Sequence, residues 1–333
     1  MIESTFFLDK FYIEGLLGSG GFGSVYKTTH IETQKTFAIK VDKKRKGNVK
    51  QESTILLEIQ SGEGIPKVFE VGETEEFSYM IMELLGPSLS KIQKQQGGKL
   101  SVDTVVPIIL QALYRLEFIH SFGIVHRDLK PQQFLVGTGN NILYLVDYGL
   151  ARKFMIDGNH IPYQNNCSRA GNSTYASLNN HLGIHQTRRD DVESLAYMAV
   201  SLMIGKLPWQ QTVKMNSSTK WNNVYQIKST MNLQELCRDC PREFLSFIRY
   251  ARALDFHEEP DYEYLRRMIN NARAPIEILE VKEDPKSKGK KYKKEDSSED
   301  SSKLELKNVQ DMKNRKIVVL TKSKSNQIRK PNK

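Results

Sequence analysis

The sequence predicts an α+β fold of two unequal lobes, a small strand-rich one and a larger, mainly helical one. Two observations carry this. Residues 11–85 hold short apolar runs of strand-like alternation, broken by glycine and polar turns. After Gly86 and Pro87 the apolar residues recur at helical spacing over long segments. The first lobe therefore takes residues 1–85 and the second residues 86–275. They meet near 83–86, and a cleft there is the natural place for a ligand.

In chain order, Leu16 and Leu17, a glycine cluster, and residues 24–27 read as two strands joined by a glycine-rich turn. Residues 36–41 form a third strand. A helix over 50–60 places Ile55, Leu56 and Ile59 on one face. Residues 68–71 and 78–85 are further strands, and 102–120, 192–204, 243–254 and 262–271 are the helices of the second lobe. No internal repeat is visible.

The 333 residues are 39% hydrophobic and 26% charged, which supports a folded core. No window of 18 uninterrupted apolar residues exists, so no transmembrane segment is expected. Residues 1–5 lack the basic flank and apolar stretch of a secretory leader. Three cysteines do not make a disulfide scaffold and suit a reducing compartment. Residues 282–333 hold 17 basic and 8 acidic residues, a net +9 of the chain's +10. Residues 1–281 are left near neutral, which argues against a nucleic-acid-binding core, and no specific nucleic-acid partner is expected. The tail, 276–333, is basic and poor in apolar residues, a composition that predicts disorder. It reads as a solvated extension, with a nuclear-import stretch, a polyanion-binding stretch or a pseudosubstrate as sharper readings.

Gly18, Gly20, Gly21 and Gly23 surround Phe22 between two strands. A dinucleotide fingerprint would open a helix, and here a strand follows at Val25, so that reading fails on context. Glycines let backbone amides approach phosphates where a Cβ would intervene. Phe22, at the tip, is placed to cap those phosphates. Lys40 ends an apolar strand behind Phe37, Ala38 and Ile39, where a point cation would meet α- and β-phosphates. Glu52 on the following helix is its expected partner, with Glu58 as the alternative. His126, Arg127, Asp128, Leu129, Lys130 and Pro131 follow the long helix, and Asp147, Tyr148 and Gly149 come nineteen positions after Asp128. Asp128 would accept or orient the proton of an attacking hydroxyl, and Lys130 would neutralise charge on a moving phosphoryl group. Asp147 would ligate Mg²⁺, a hard cation that prefers carboxylate oxygen. Tyr148, where such motifs usually carry Phe, reads as a packing residue, and His126 and Arg127 as structural. Cys237 and Cys240 form a single CxxC without a second ligand pair and read as structural. Trp209 and Trp221 read as packing residues, and 43–46 as a solvated basic loop.

In this order the motifs resemble the eukaryotic protein kinase superfamily, and more narrowly the casein kinase 1 family. The narrower resemblance rests on residues 82–89, 175–179, 181–184, 188–195, 207–209 and 260–265, and it spans about 8–272. It includes Ser177, Leu178 and Asn179 in place of the usual Ala-Pro-Glu triplet. The resemblance implies a bilobal protein-kinase-like fold with an antiparallel N-lobe sheet. It implies ATP and Mg²⁺ as cofactors, and transfer of the γ-phosphoryl group to Ser or Thr of proteins near acidic or phosphorylated residues. Leu17, Val25 and Ala38 would then join the glycine loop around the nucleotide. Met82 would guard the pocket, and the backbones of Glu83 and Leu85 would hydrogen-bond adenine. Asp191 would brace the catalytic loop.

Three positions depart from that pattern. Gln133 stands where the family carries the Asn that binds a second Mg²⁺, so it would ligate from one methylene further out. Asn172 replaces a Thr that meets the catalytic Asp and Lys, and Thr174 replaces an Arg of an anion pocket. Arg169, Arg188, Arg189 or Lys228 would stand in for it. An active Ser/Thr kinase is the leading expectation. The alternative is a pseudokinase acting as a nucleotide-binding scaffold. A monomer in cytoplasm or nucleus is expected, with Ser297, Ser298, Ser301 and Ser302 as autophosphorylation sites.

Overall fold

Glycine makes the first hairpin of the small lobe tight. The computed structural model describes residues 6–43, 47–211 and 217–272. Strand β1 (Phe6–Phe7) leads into β2 (Phe11–Gly20), which turns at Gly21 and Phe22 into β3 (Gly23–His30). Gly23 has φ 121, and a Cβ there would lie 2.4 Å from the Val41 carbonyl, so the fold itself demands glycine. Strands β4 (Thr36–Lys43), β5 (Val68–Glu73) and β6 (Phe77–Glu83) complete an antiparallel sheet of order β1-β2-β3-β4-β6-β5.

Alternation along β4 divides its side chains between two faces. Ile39 and Val41 pack with Phe7, Phe11, Tyr26, Tyr79 and Ile81. Ala38 and Lys40 take the opposite face, paired in register with Met82 and Met80. Helix α1 (Asn48–Glu58) buries Ile55 and Leu56 as expected, and Ile59 follows at its C-cap.

The large lobe is built around two helices. After α2 (Leu89–Gln95), α3 (Val102–Ser121) starts at Ser101, whose side chain accepts from Thr104 N. Four short pieces of strand and a turn at 148–150 then lay out the loops of the cleft: β7 (Ile124–Val125), β8 (Phe134–Val136), β9 (Leu143–Leu145) and β10 (Arg152–Lys153). The hairpin β11 (Met155–Ile156) and β12 (Asn159–His160) and helix α4 (Leu178–His181) lead to α5 (Arg188–Ile204). Helix α5 opens with a capping box between Thr187 and Asp190 and is buried on almost every side, which makes it the core of the lobe. Helices α6 (Ser217–Thr230), α7 (Leu233–Leu236), α8 (Arg242–Ala253) and α9 (Tyr262–Asn270) complete the lobe, with α8 packed on α5 and α9 on α3. The last two present Phe244, Phe247, Ile248, Leu265 and Ile269 inward.

This is the bilobal α+β architecture that the sequence predicts. No helix of the described residues is long and apolar enough to cross a membrane. The tail 276–333 with its four serines, and residues 44–46 of the basic run, lie outside the described residues.

Candidate functional site

Lys40 stands at the centre of the cleft. Its Nζ donates to Glu52 Oε2 at 2.5 Å and to Asp147 Oδ1 at 2.9 Å, linking strand β4, helix α1 and the turn after β9. Burial works against its charge, but the two carboxylates outweigh it and raise its pKa above the ordinary lysine value. Glu58 is turned elsewhere, to Lys153. Asp147 has a left-handed backbone, φ 65, a conformation that Asp tolerates better than bulkier residues. Burial raises its pKa, but Lys40, His126 and a hydrogen bond from Gln133 together pull it below the usual carboxylate value.

Gln133 ties Asp147 to Asp128. Its Nε2 donates to Asp147 Oδ2 at 2.7 Å and to Asp128 Oδ2 at 3.4 Å. Lys130 Nζ donates to the same Asp128 oxygen at 2.5 Å. The other oxygen, Asp128 Oδ1, is buried without a hydrogen-bond partner among the described residues. It lies beside Gly171, where a Cβ would come within 2.4 Å of the Arg127 carbonyl and 3.1 Å of Asp128 Oδ1.

The loop carrying Asp128 is held from below. Asp191, at the start of α5, accepts from the backbone N–H of His126 at 2.7 Å and of Arg127 at 2.9 Å. Its Oδ2 also meets His120 Nε2 at 3.0 Å. Burial raises the Asp191 pKa, and His120, His126 and these bonds together bring it below the ordinary value. His126 reaches the Val146 carbonyl through Nε2, and Arg127 takes the left-handed φ of 71. The brace expected at Asp191 is therefore present in the geometry.

The glycine hairpin folds over the site. The Phe22 ring lies against Gly149, within 3.1 Å of where a Cβ there would stand. Phe22, Asp128, Lys130, Arg169, Gly171 and Asn172 line a cavity of 540 Å³. Added Cβ atoms at Gly18, Gly20 and Gly21 would meet nothing within 4 Å, so the chain's own packing does not require glycine there. Leu17 is exposed at the edge of the hairpin, Val25 pairs with Lys40, and Ala38 is buried beneath them. Met82 is half-buried against the core. At the link between lobes, Glu83 N–H donates to the Lys67 carbonyl, and its carboxylate accepts from Tyr144 Oη at 3.2 Å. Leu85 N–H has no partner among the described residues.

The geometry that the sequence leaves open at Asn172 is an Asx turn: the residue is exposed, and its Oδ1 accepts from Thr174 N at 2.9 Å. Other expectations are corrected. Lys228 does not stand in for an anion-pocket arginine. It is fully buried, and its Nζ donates to the carbonyls of Ser173, Thr174 and Ala176 beneath the rings of Tyr197 and Trp209. Arg188 and Arg189 are likewise turned to the carbonyls of His257 and Leu254. Arg169 alone of the four lines the cavity. Burial pushes the Cys237 and Cys240 thiols up to about 11 and 12, in keeping with structural cysteines.

One site feature is absent from the sequence reading. Glu193 is buried and accepts from Leu178 N and from Tyr197 Oη, with Arg252 Nε at 3.6 Å. Together with Trp209, which donates to the Thr174 carbonyl at 2.7 Å, it anchors residues 173–178 beside the cavity. The spacing of Glu193 and Tyr197, four apart on a helix, is the only local signal of it.

The family model described as Protein kinase domain matches residues 11–262, well over half of the chain. Members of that family bind ATP and transfer its phosphoryl group to proteins. With its curled sheet, helical lobe and the Lys40–Glu52–Asp147 linkage between them, the chain belongs to the protein kinase domain family.

Proposed function

We propose that the chain is an active serine/threonine kinase of casein kinase 1 type, moving the γ-phosphoryl group of ATP to Ser or Thr hydroxyls of acidic proteins. The observation that carries this reading is the unequal loading of Asp128. Oδ2 accepts from Lys130 and Gln133, whereas Oδ1, buried beside Gly171 in the wall of the cavity, has no partner among the described residues. A hydroxyl entering there would find an oxygen able to take or orient its proton. Lys130, held at the same carboxylate, would neutralise charge on the transferring group. Lys40, kept protonated by its two carboxylates, would meet the α- and β-phosphates. The open space over Gly18, Gly20 and Gly21 leaves room for phosphates to approach backbone amides. Glu83 and Leu85 would hold adenine, with Met82 behind it.

The residues present suit a divalent cation held partly by the nucleotide. No cluster of three or more His, Cys, Asp or Glu among the described residues could hold an ion alone. Mg²⁺ is commonly bound by one or two carboxylates plus substrate phosphates, and Asp147 offers one such carboxylate to the cleft. When bound, the ion supplies charge neutralisation at the phosphates.

A slow or inactive nucleotide-holding scaffold is the second reading, favoured by Gln133 and by the engagement of Asn172 Oδ1 in its own turn. One assay separates the two: phosphoryl transfer from Mg-ATP to a casein-like acidic protein, with amino-acid analysis of the product. Asp128→Asn is expected to lower kcat roughly 10²–10⁴-fold. Equal inactivity of wild type and variant, with nucleotide still bound, would establish the scaffold instead.

A further inference from the structure

We propose that Gln133 is a metal-gating residue: its amide stands as a double donor between Asp128 and Asp147, and it must invert or withdraw before a second divalent cation can use those carboxylates. The inference rests on the nucleotide-dependent reading above.

The orientation of the amide follows from chemistry. Ionised carboxylates only accept, so the end of Gln133 that faces both must be its NH₂ group. Nε2 lies 2.7 Å from Asp147 Oδ2 and 3.4 Å from Asp128 Oδ2. The remaining oxygen of Asp147 takes Lys40, and the shared oxygen of Asp128 takes Lys130. Positive hydrogens therefore already fill the gap between two negative groups. A cation there would need an oxygen from Gln133, and inversion of the amide would first break both charge-assisted bonds.

The backbone gives little freedom to avoid this. Gln133 N–H donates to the Lys130 carbonyl at 2.9 Å, and its own carbonyl accepts from Val146 N at 2.9 Å. The residue is 6% exposed, so no solvent waits to replace the lost partners. Movement is left to the side-chain torsions. A side chain one methylene shorter, as in Gln133→Asn, draws the amide back and can no longer span both carboxylates.

Mn²⁺ is a spectroscopic probe of the gate. The full chain, saturated with a non-hydrolysable ATP analogue, is titrated with Mn²⁺ while the free ion is followed by electron paramagnetic resonance. In the wild type the second Mn²⁺ is expected to bind about ten- to a hundredfold more weakly than in Gln133→Asn, the loss that one or two charged hydrogen bonds correspond to. Equal second-site affinities overturn the gate while leaving the kinase reading intact. Failure of the nucleotide to bind either protein overturns the reading itself. Metal-free thermal unfolding adds a readout independent of the nucleotide. Gln133→Ala should melt below the wild type and regain more on addition of Mn²⁺, whereas an unchanged melting temperature would show that the amide bridges nothing.

Discussion

Tyr148 packs against His126 with ring centroids 5.1 Å apart, but its hydroxyl is buried without a hydrogen-bond partner among the described residues. An unsatisfied buried polar group costs about 1–3 kcal/mol. Tyr148→Phe removes that group and keeps the ring, so it is expected to stabilise the fold by about 1 kcal/mol, measured by urea unfolding. A loss of stability would show that the hydroxyl has a partner in solution. Single residues were also where the sequence was most readable. The Lys40–Glu52 pairing follows from a lysine ending a buried strand and a carboxylate one turn into the next helix. Asn172 was not readable, because its choice between a catalytic partner and its own turn is decided by distances that arise only on folding.

Among elements, the β2–β3 hairpin separates two uses of glycine. Gly23 answers to the sheet, through its φ of 121 and the nearby Val41 carbonyl, and Gly20 answers to nothing within the chain. Gly23→Ala should therefore lower stability by 1 kcal/mol or more, roughly the cost of one strained backbone position. Gly20→Ala should leave the melting temperature unchanged and weaken ATP binding, read by calorimetry. The reverse pattern would assign the glycines to the opposite tasks. The hairpin and α1, α3, α8 and α9 are legible from a period carried over many residues, and α5 from its long apolar run. Strands of two residues such as β7 and β10 carry no period, and α6 scatters its few apolar residues instead of gathering them on one face. Glu193 and Arg252 lie on different helices, and no local pattern announces their contact.

At the scale of the whole molecule, buried histidines weaken the fold in acid, and Asp190, whose carboxyl burial pushes up to about 7, works in the opposite sense. His181 joins α4 to α6 through the Trp221 carbonyl and meets Lys228 at 3.2 Å. Burial, reinforced by Lys228, pushes its pKa down to about 3. Burial lowers His160 and His185 as well. An unfolded histidine titrates near 6.5, so below that pH the unfolded chain binds protons that the fold refuses. The stability these groups contribute is complete above about pH 6.5 and is lost as pH falls from there toward the folded values. His181 adds up to about 1.4 kcal/mol per pH unit within that window, and the more exposed His160 and His185 add less. Between pH 7 and pH 5 the urea midpoint of His181→Gln should fall less, or rise more, than that of the wild type; an identical change would place the proton uptake elsewhere.

Lys228 gives the molecule a built-in chemical clock. Its amine is sealed among carbonyls and rings, so an acylating reagent in water can modify it only after α6 and the 173–176 stretch part company. The rate at which mass spectrometry finds that one lysine labelled, set against the immediate labelling of surface lysines, would time how often the acceptor side of the cleft comes undone.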